Sequence, residues 1–179
     1  GNANEKMEKE DWNPHSEREL LEDLMDQRVI NMLRSKPELF PSSSESKPNQ
    51  YHLDLFVTKS CCPRCVWKVD AVMRSFKSAD LDLSVTLHPL VQYRGGVTSG
   101  YYSGLNKEAI PDGLSGLIMA KAFGCEIQHW DLAQSGERVF GQHNDIQSLL
   151  EIQEGVKGGK GWKALAGNLK VLGSETTCR

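Results

Sequence analysis

Apolar positions recur along this 179-residue chain in two alternating periods, and the switches between them predict its elements. Between Ser16 and Leu33, the residues Leu20, Leu21, Leu24, Met25, Val29, Ile30 and Leu33 return at three- and four-residue steps, which lays one apolar stripe along a helix. The helix is expected to start at His15-Ser16-Glu17, with Pro37 and Pro41 to stop it and a polar loop from Ser42 to Asn49. Tyr51, Leu53, Leu55, Phe56 and Val57 form a short β run. After Pro63, the residues Val66, Trp67, Val69, Val72, Met73 and Phe76 take helical spacing, and then Leu81, Leu83, Val85 and Leu87 alternate with polar residues. The order is β-α-β. From His88 to Gly113 runs a Gly- and Tyr-containing connection too long for a plain turn, which makes it a candidate functional loop.

Leu114, Leu117, Ile118, Ala120 and Ala122 predict a helix closed by Gly124, with a strand to follow from Cys125 to Leu132. Strands separated by crossover helices pair in parallel, because a hairpin needs only a few residues between its arms. Asp145 to Val156 carries one more helix on Ile146, Leu149, Leu150 and Ile152. Gly155 to Gly161 reads as a Gly-rich linker. Beyond it, Trp162 to Ala166 and Leu169 to Leu172 flank Gly167-Asn168, a pair suited to a two-residue hairpin turn, so residues 162–172 are expected to form a β-hairpin. No internal repeat is present. The expected class is α/β, in one domain over residues 1–179.

Composition narrows the function more than it changes the fold. Hydrophobic residues at 39% and charged residues at 25% are globular usage, and no run approaches the roughly 18 apolar residues of a membrane span. The first 26 residues hold nine acidic against three basic side chains, net −6, so the remainder is +3 within an overall −3. A surface that coats nucleic acid by charge alone is therefore not expected. Cys61, Cys62 and Cys65 crowd together while Cys125 and Cys178 stand alone, a distribution suited to a metal or redox site rather than a secreted disulfide framework. With no recognisable signal peptide, cytosol or nucleus is the expected compartment.

The chemistry concentrates in His15-x-Glu17, at the head of one helix, and Cys62-Pro63-Arg64-Cys65, at the head of the next. Two helix starts side by side over a sheet can offer one imidazole and two thiolates to a tetrahedral Zn²⁺, leaving the fourth position for water. The helix dipoles help keep the thiolates ionised. Glu17 would stand beside that water and pass its proton to a substrate nitrogen, which is hydrolytic deamination.

At this point the chain resembles the zinc-dependent cytidine deaminase superfamily, whose pattern is H-x-E followed by P-C-x-x-C. The run from Tyr51 to Cys65 is most similar to the AID/APOBEC branch, Leu81 to Leu87 to that branch's following strand, and Gly124 to Trp130 to its last strand. The resemblance spans residues 13 to 132. It implies zinc on His15, Cys62 and Cys65, with Glu17 as general acid and base. It also implies substrate contacts from Ser60, which precedes the cysteine turn, and from Tyr93, Tyr101 and Tyr102 in the region of the family's nucleic-acid-contacting loop. Thr58-Lys59 replace the family's usual Ser-Trp, and Cys61 stands where Pro is usual.

The implied fold is a three-layer α/β/α domain with a mixed five-stranded sheet, and the implied reaction turns cytosine into uracil in single-stranded DNA or RNA. That fold begins with a hairpin, whereas only 14 residues precede His15 here. The C-terminal hairpin would supply it in a circularly permuted order, with Gly155 to Gly161 as the joint. Two alternatives stay open: deamination of a free nucleoside or nucleotide, and a thioredoxin-like dithiol or non-catalytic zinc-binding interaction module. No membrane partner is expected, and the oligomeric state is not legible.

Overall fold

A computed structural model describes residues 16–35, 49–93, 112–130 and 146–173. Their elements are helices α1 (Ser16–Leu24) and α2 (Gln27–Ser35), strand β1 (Gln50–Lys59), helix α3 (Pro63–Ser78), strand β2 (Asp82–Val91), helix α4 (Asp112–Ala122), strand β3 (Glu126–Ile127), and helices α5 (Ile146–Val156) and α6 (Lys160–Val171). The chain is α/β, with a sheet ordered β1-β2-β3 among the described residues. β2 and β3 pair in parallel, Thr86 with Glu126 and Leu87 with Ile127. The ladder continues past the short strand, as the Gln128 and Trp130 amides donate to the Leu87 and Pro89 carbonyls. β1 runs the same way as β2, since Asn49 lies against Asp82 at one end and Ser60 against Val91 at the other.

β2 lies between its two neighbours, and this overrides the alternation in its sequence. Every residue from Val85 to Leu90 is buried, including Thr86 and His88. A central strand of a parallel sheet is covered on both faces, so polar positions there survive only with partners.

The chain divides into two compact units, Gly1–Tyr51 with Trp67–Leu83, and His52–Val66 with Ser84–Arg179. In the first, the expected single helix to Leu33 is broken at Met25-Asp26. Asp26 breaks it by capping α2: its carboxylate accepts from the Arg28 amide at 2.8 Å and holds the Arg28 guanidinium at 2.7 Å. Hydrogen bonding to Arg28 holds the Asp26 pKa down to about 2. Leu21, Ile30, Leu33, Val69, Val72, Phe76 and Leu81 are its buried apolar residues among the described ones. On its surface Lys68 pairs with Glu22 at 3.0 Å, and these partners hold the Glu22 carboxyl below its usual value.

In the second unit Leu90 and Trp130 centre an apolar cluster that takes in Phe56, Val91, Leu149, Leu150, Val156 and Trp162. Here the structure overturns the C-terminal hairpin. Residues 160–171 are a helix, and Gly155 to Gly161 is the end of α5, a turn with Gly158 at φ +72°, and the start of α6. The reason is tertiary. Trp162, Leu165, Leu169 and Leu172 return at helical steps, Leu165 and Leu169 are buried, and Val171 on the far side is 86% exposed. A hairpin would have left Val171 and Leu169 on one face. The helix is tied down where the Gln92 amide donates to the Gly161 carbonyl and the Asn168 side-chain amide donates to the Gln92 side-chain oxygen. The circularly permuted order therefore fails, and the described residues hold three strands instead of five.

Gly167 sits inside α6 without positive φ, and a Cβ placed there meets nothing within 4 Å. Gly167→Ala is expected to raise stability by about 1 kcal/mol, because alanine loses less backbone entropy in a helix. Thermal melting should rise by roughly 2–4 °C. A fall would return these residues to a turn.

Candidate functional site

The Cys62-Pro63-Arg64-Cys65 segment becomes the first turn of α3. The Val66 amide donates to the Cys62 carbonyl at 3.1 Å, which makes Cys62 the N-cap. Pro63 then opens the helix, where its missing N–H costs nothing. Cap and third helical position lie on the same side of a helix start, so the two side chains meet, with Cys62 Sγ 3.6 Å from Cys65 Sγ. Both side chains are buried, 8% and 1% exposed. A disulfide would need about 2.05 Å between the sulfurs.

That spacing can be tested against zinc. Two thiolates on one tetrahedral zinc, at bond lengths of about 2.3 Å, stand about 3.8 Å apart. The observed 3.6 Å differs by only about 0.2 Å, so this donor pair fits. Among the described residues no three His, Cys, Asp or Glu side chains gather to hold a metal, and His15 lies outside those residues.

The cysteine turn is held from two directions. The Ser60 amide donates to the Val91 carbonyl at 2.8 Å, and the Ser60 hydroxyl accepts from the Tyr93 amide at 2.9 Å. Ser60 is 3% exposed, so its hydroxyl joins the end of β1 to the end of β2. From the other side α4 presents Gly113 and Gly116. A Cβ at Gly113 would fall 2.3 Å from the Tyr93 carbonyl oxygen, and one at Gly116 would fall 1.9 Å from that of Cys61. Only glycine allows this close approach of helix and turn. Sequence reasoning gave the α4 helix but passed over these residues; the signal was the Gly-x-x-Gly spacing, which puts two glycines on one helix face.

The structure thus brings together Ser60, Cys62, Cys65 and Tyr93, all in the second unit. Glu17 stands half-buried in the first turn of α1, in the first unit. Tyr101 and Tyr102 lie outside the described residues. Cys61 is buried and lines a tight apolar contact with Val57, Leu87, Pro89 and Leu117.

A second polar group occupies the sheet. His88 Nε2 lies 2.7 Å from Asp54 Oδ1, and its ring stacks on Phe56 at 4.2 Å. His52 bridges Ser84 and Asp54, at 2.7 and 3.3 Å. Burial pushes the Asp54 carboxyl up, but the His88 hydrogen bond and the charges of both histidines outweigh it, so the net shift is downward and Asp54 stays ionised. His129 bonds the Leu90 carbonyl and packs on Trp162. Of the three only His88 lies in the interior of the sheet; His52 is exposed and His129 half-buried.

Compared with known proteins, the chain matches no family model, no curated protein and no solved structure. No helix among the described residues is long and apolar enough to cross a membrane.

Proposed function

We propose that this chain is a zinc-dependent hydrolytic deaminase that converts cytosine to uracil in single-stranded DNA or RNA. The observation that carries the reading is the 3.6 Å sulfur separation at the head of α3, close to the edge of a tetrahedral dithiolate site. His15, Cys62 and Cys65 would hold the metal. Zinc, when bound, supplies Lewis acidity that brings the pKa of a water near neutrality. Glu17 takes the proton of the attacking water and delivers it to the leaving exocyclic nitrogen. One water is consumed and one ammonia released.

Further support comes from placement. The cysteine turn follows the carboxyl end of β1 in a parallel sheet, where open α/β folds keep their ligand sites. The α4 glycines and Ser60 keep that turn in place, which is what a site needs to hold two sulfurs at a set distance.

The same sulfur pair suits a dithiol that cycles to a disulfide, so the decisive experiment separates the two. Purified protein is assayed for metal content and for conversion of cytidine to uridine, of dCMP to dUMP, and of cytosine to uracil within single-stranded oligonucleotides. The expected result is about one equivalent of zinc and uracil-containing oligonucleotides. Uridine or dUMP alone would move the substrate to the free nucleoside or nucleotide. Zinc-free protein that reduces a disulfide substrate would replace the proposal with the redox reading.

A further inference from the structure

At the carboxyl ends of β1 and β2 the second unit holds a groove of about 550 Å³, lined by Lys59, Val91, Gln92, Tyr93, Val156 and the Gly159–Gly161 segment with Lys160. The volume is in the range of sites that take small ligands. Crevices outside the carboxyl ends of parallel strands are where open α/β sheets bind them.

The lining is one-signed. Lys59 and Lys160 are exposed at the ends of different elements, and none of the described lining residues is acidic. Their charges gather here although the chain as a whole is −3. Lys157, one turn away in sequence, is already paired with Glu154 at 3.3 Å and does not line the groove. Gln92, Tyr93 and the peptide groups of Gly159 to Gly161 add polar surface, while Val91 and Val156 form an apolar wall. Gly161 lets the start of α6 pack closely on β2, for a Cβ there would press on the Val91 side chain at 3.2 Å.

We propose that this groove binds a phosphate group, as the ester of a nucleotide or a single-stranded polynucleotide, between Lys59 and Lys160. Two lysines lining one groove, with no acidic residue beside them in the lining, complement a phosphate's charge and its acceptor oxygens. None of the lining residues is a proposed zinc ligand, although Lys59 and Tyr93 adjoin the cysteine turn through Ser60, so phosphate binding can be read without the metal.

The test measures binding of a fluorescent oligothymidylate, which carries phosphates but no cytosine, by anisotropy across a salt series and in the presence of EDTA. Lys59→Gln and Lys160→Gln are each expected to weaken binding about tenfold and to flatten the salt slope by about 0.7. Lys157→Gln should leave both unchanged. Displacement by millimolar dTMP or inorganic phosphate assigns the groove to a phosphate monoester; displacement only by unlabelled oligomer assigns it to the diester backbone. The proposal is overturned if both groove variants bind like the parent, if Lys157→Gln loses as much as they do, or if no phosphate probe binds. Binding that persists under EDTA while zinc and deamination are absent would sink the proposed function and leave this site standing.

Discussion

On the proposed zinc mechanism, Cys62→Ser and Cys65→Ser are each expected to strip the protein of zinc, while Glu17→Ala keeps the zinc and loses activity. The contrast follows from the separate tasks that mechanism gives the side chains. Removing one of two sulfurs 3.6 Å apart takes away half of the thiolate set, and the serine hydroxyl left in its place does not ionise to replace it. Removing the Glu17 carboxylate leaves the metal donors untouched and deletes only the proton carrier, a loss of about 10²–10⁴-fold in rate. Metal analysis and cytosine-to-uracil conversion on the same preparations read both effects. Full zinc in either cysteine variant, or full activity in Glu17→Ala, would end the zinc mechanism. Because both sulfurs are buried, circular dichroism of each variant must accompany the metal analysis, so that loss of zinc is separated from loss of fold.

Gly116→Ala is expected to be the most damaging single methyl in the described structure. Alanine at a helical position ordinarily gains about 1 kcal/mol over glycine. Here its Cβ would fall 1.9 Å from the Cys61 carbonyl oxygen and 2.9 Å from its carbon, both backbone atoms that cannot rotate away. Overpacking of that kind costs about 3 kcal/mol, which outweighs the propensity gain and lowers the melting temperature by roughly 4–8 °C. The relaxation available is a retreat of α4 from the cysteine turn, and with it a change in the sulfur spacing. Zinc affinity should therefore fall together with stability in Gly116→Ala but stay constant in Gly167→Ala, where the added methyl is in open space. A Gly116→Ala protein that melts like the parent would remove α4 from any role in holding the turn.

β1 and α3 were legible in the chain because local period and tertiary burial agree there. Leu55 and Val57 alternate as a strand should, and Val66, Val69, Val72 and Phe76 return as a helix should, and all six are buried. Reading failed where a local signal competed with a distant one. Gly167-Asn168 is hairpin chemistry at short range, yet the groups that make α6 a helix are Val91 and Gln92, some seventy residues earlier. Asp26 looked like one more polar position on a helix, and its capture of Arg28 splits that helix instead. The site divides the same way. The sulfur pair follows from four consecutive residues, whereas Gly116 acquires its importance only from Cys61, fifty-five positions away, which no short-range spacing announces.

Each strand pairing in this sheet joins distant stretches of chain. Ser60 meets Val91 across thirty-one positions and Thr86 meets Glu126 across forty. During synthesis, then, β1 leaves the ribosome before the β2 it pairs with, and β2 before β3. Until then Leu55, Val57 and the cysteine thiols are open to solvent and to oxidants, so the interval before the last strand arrives is when the nascent chain is most exposed to misassembly and needs a chaperone or a reducing milieu most.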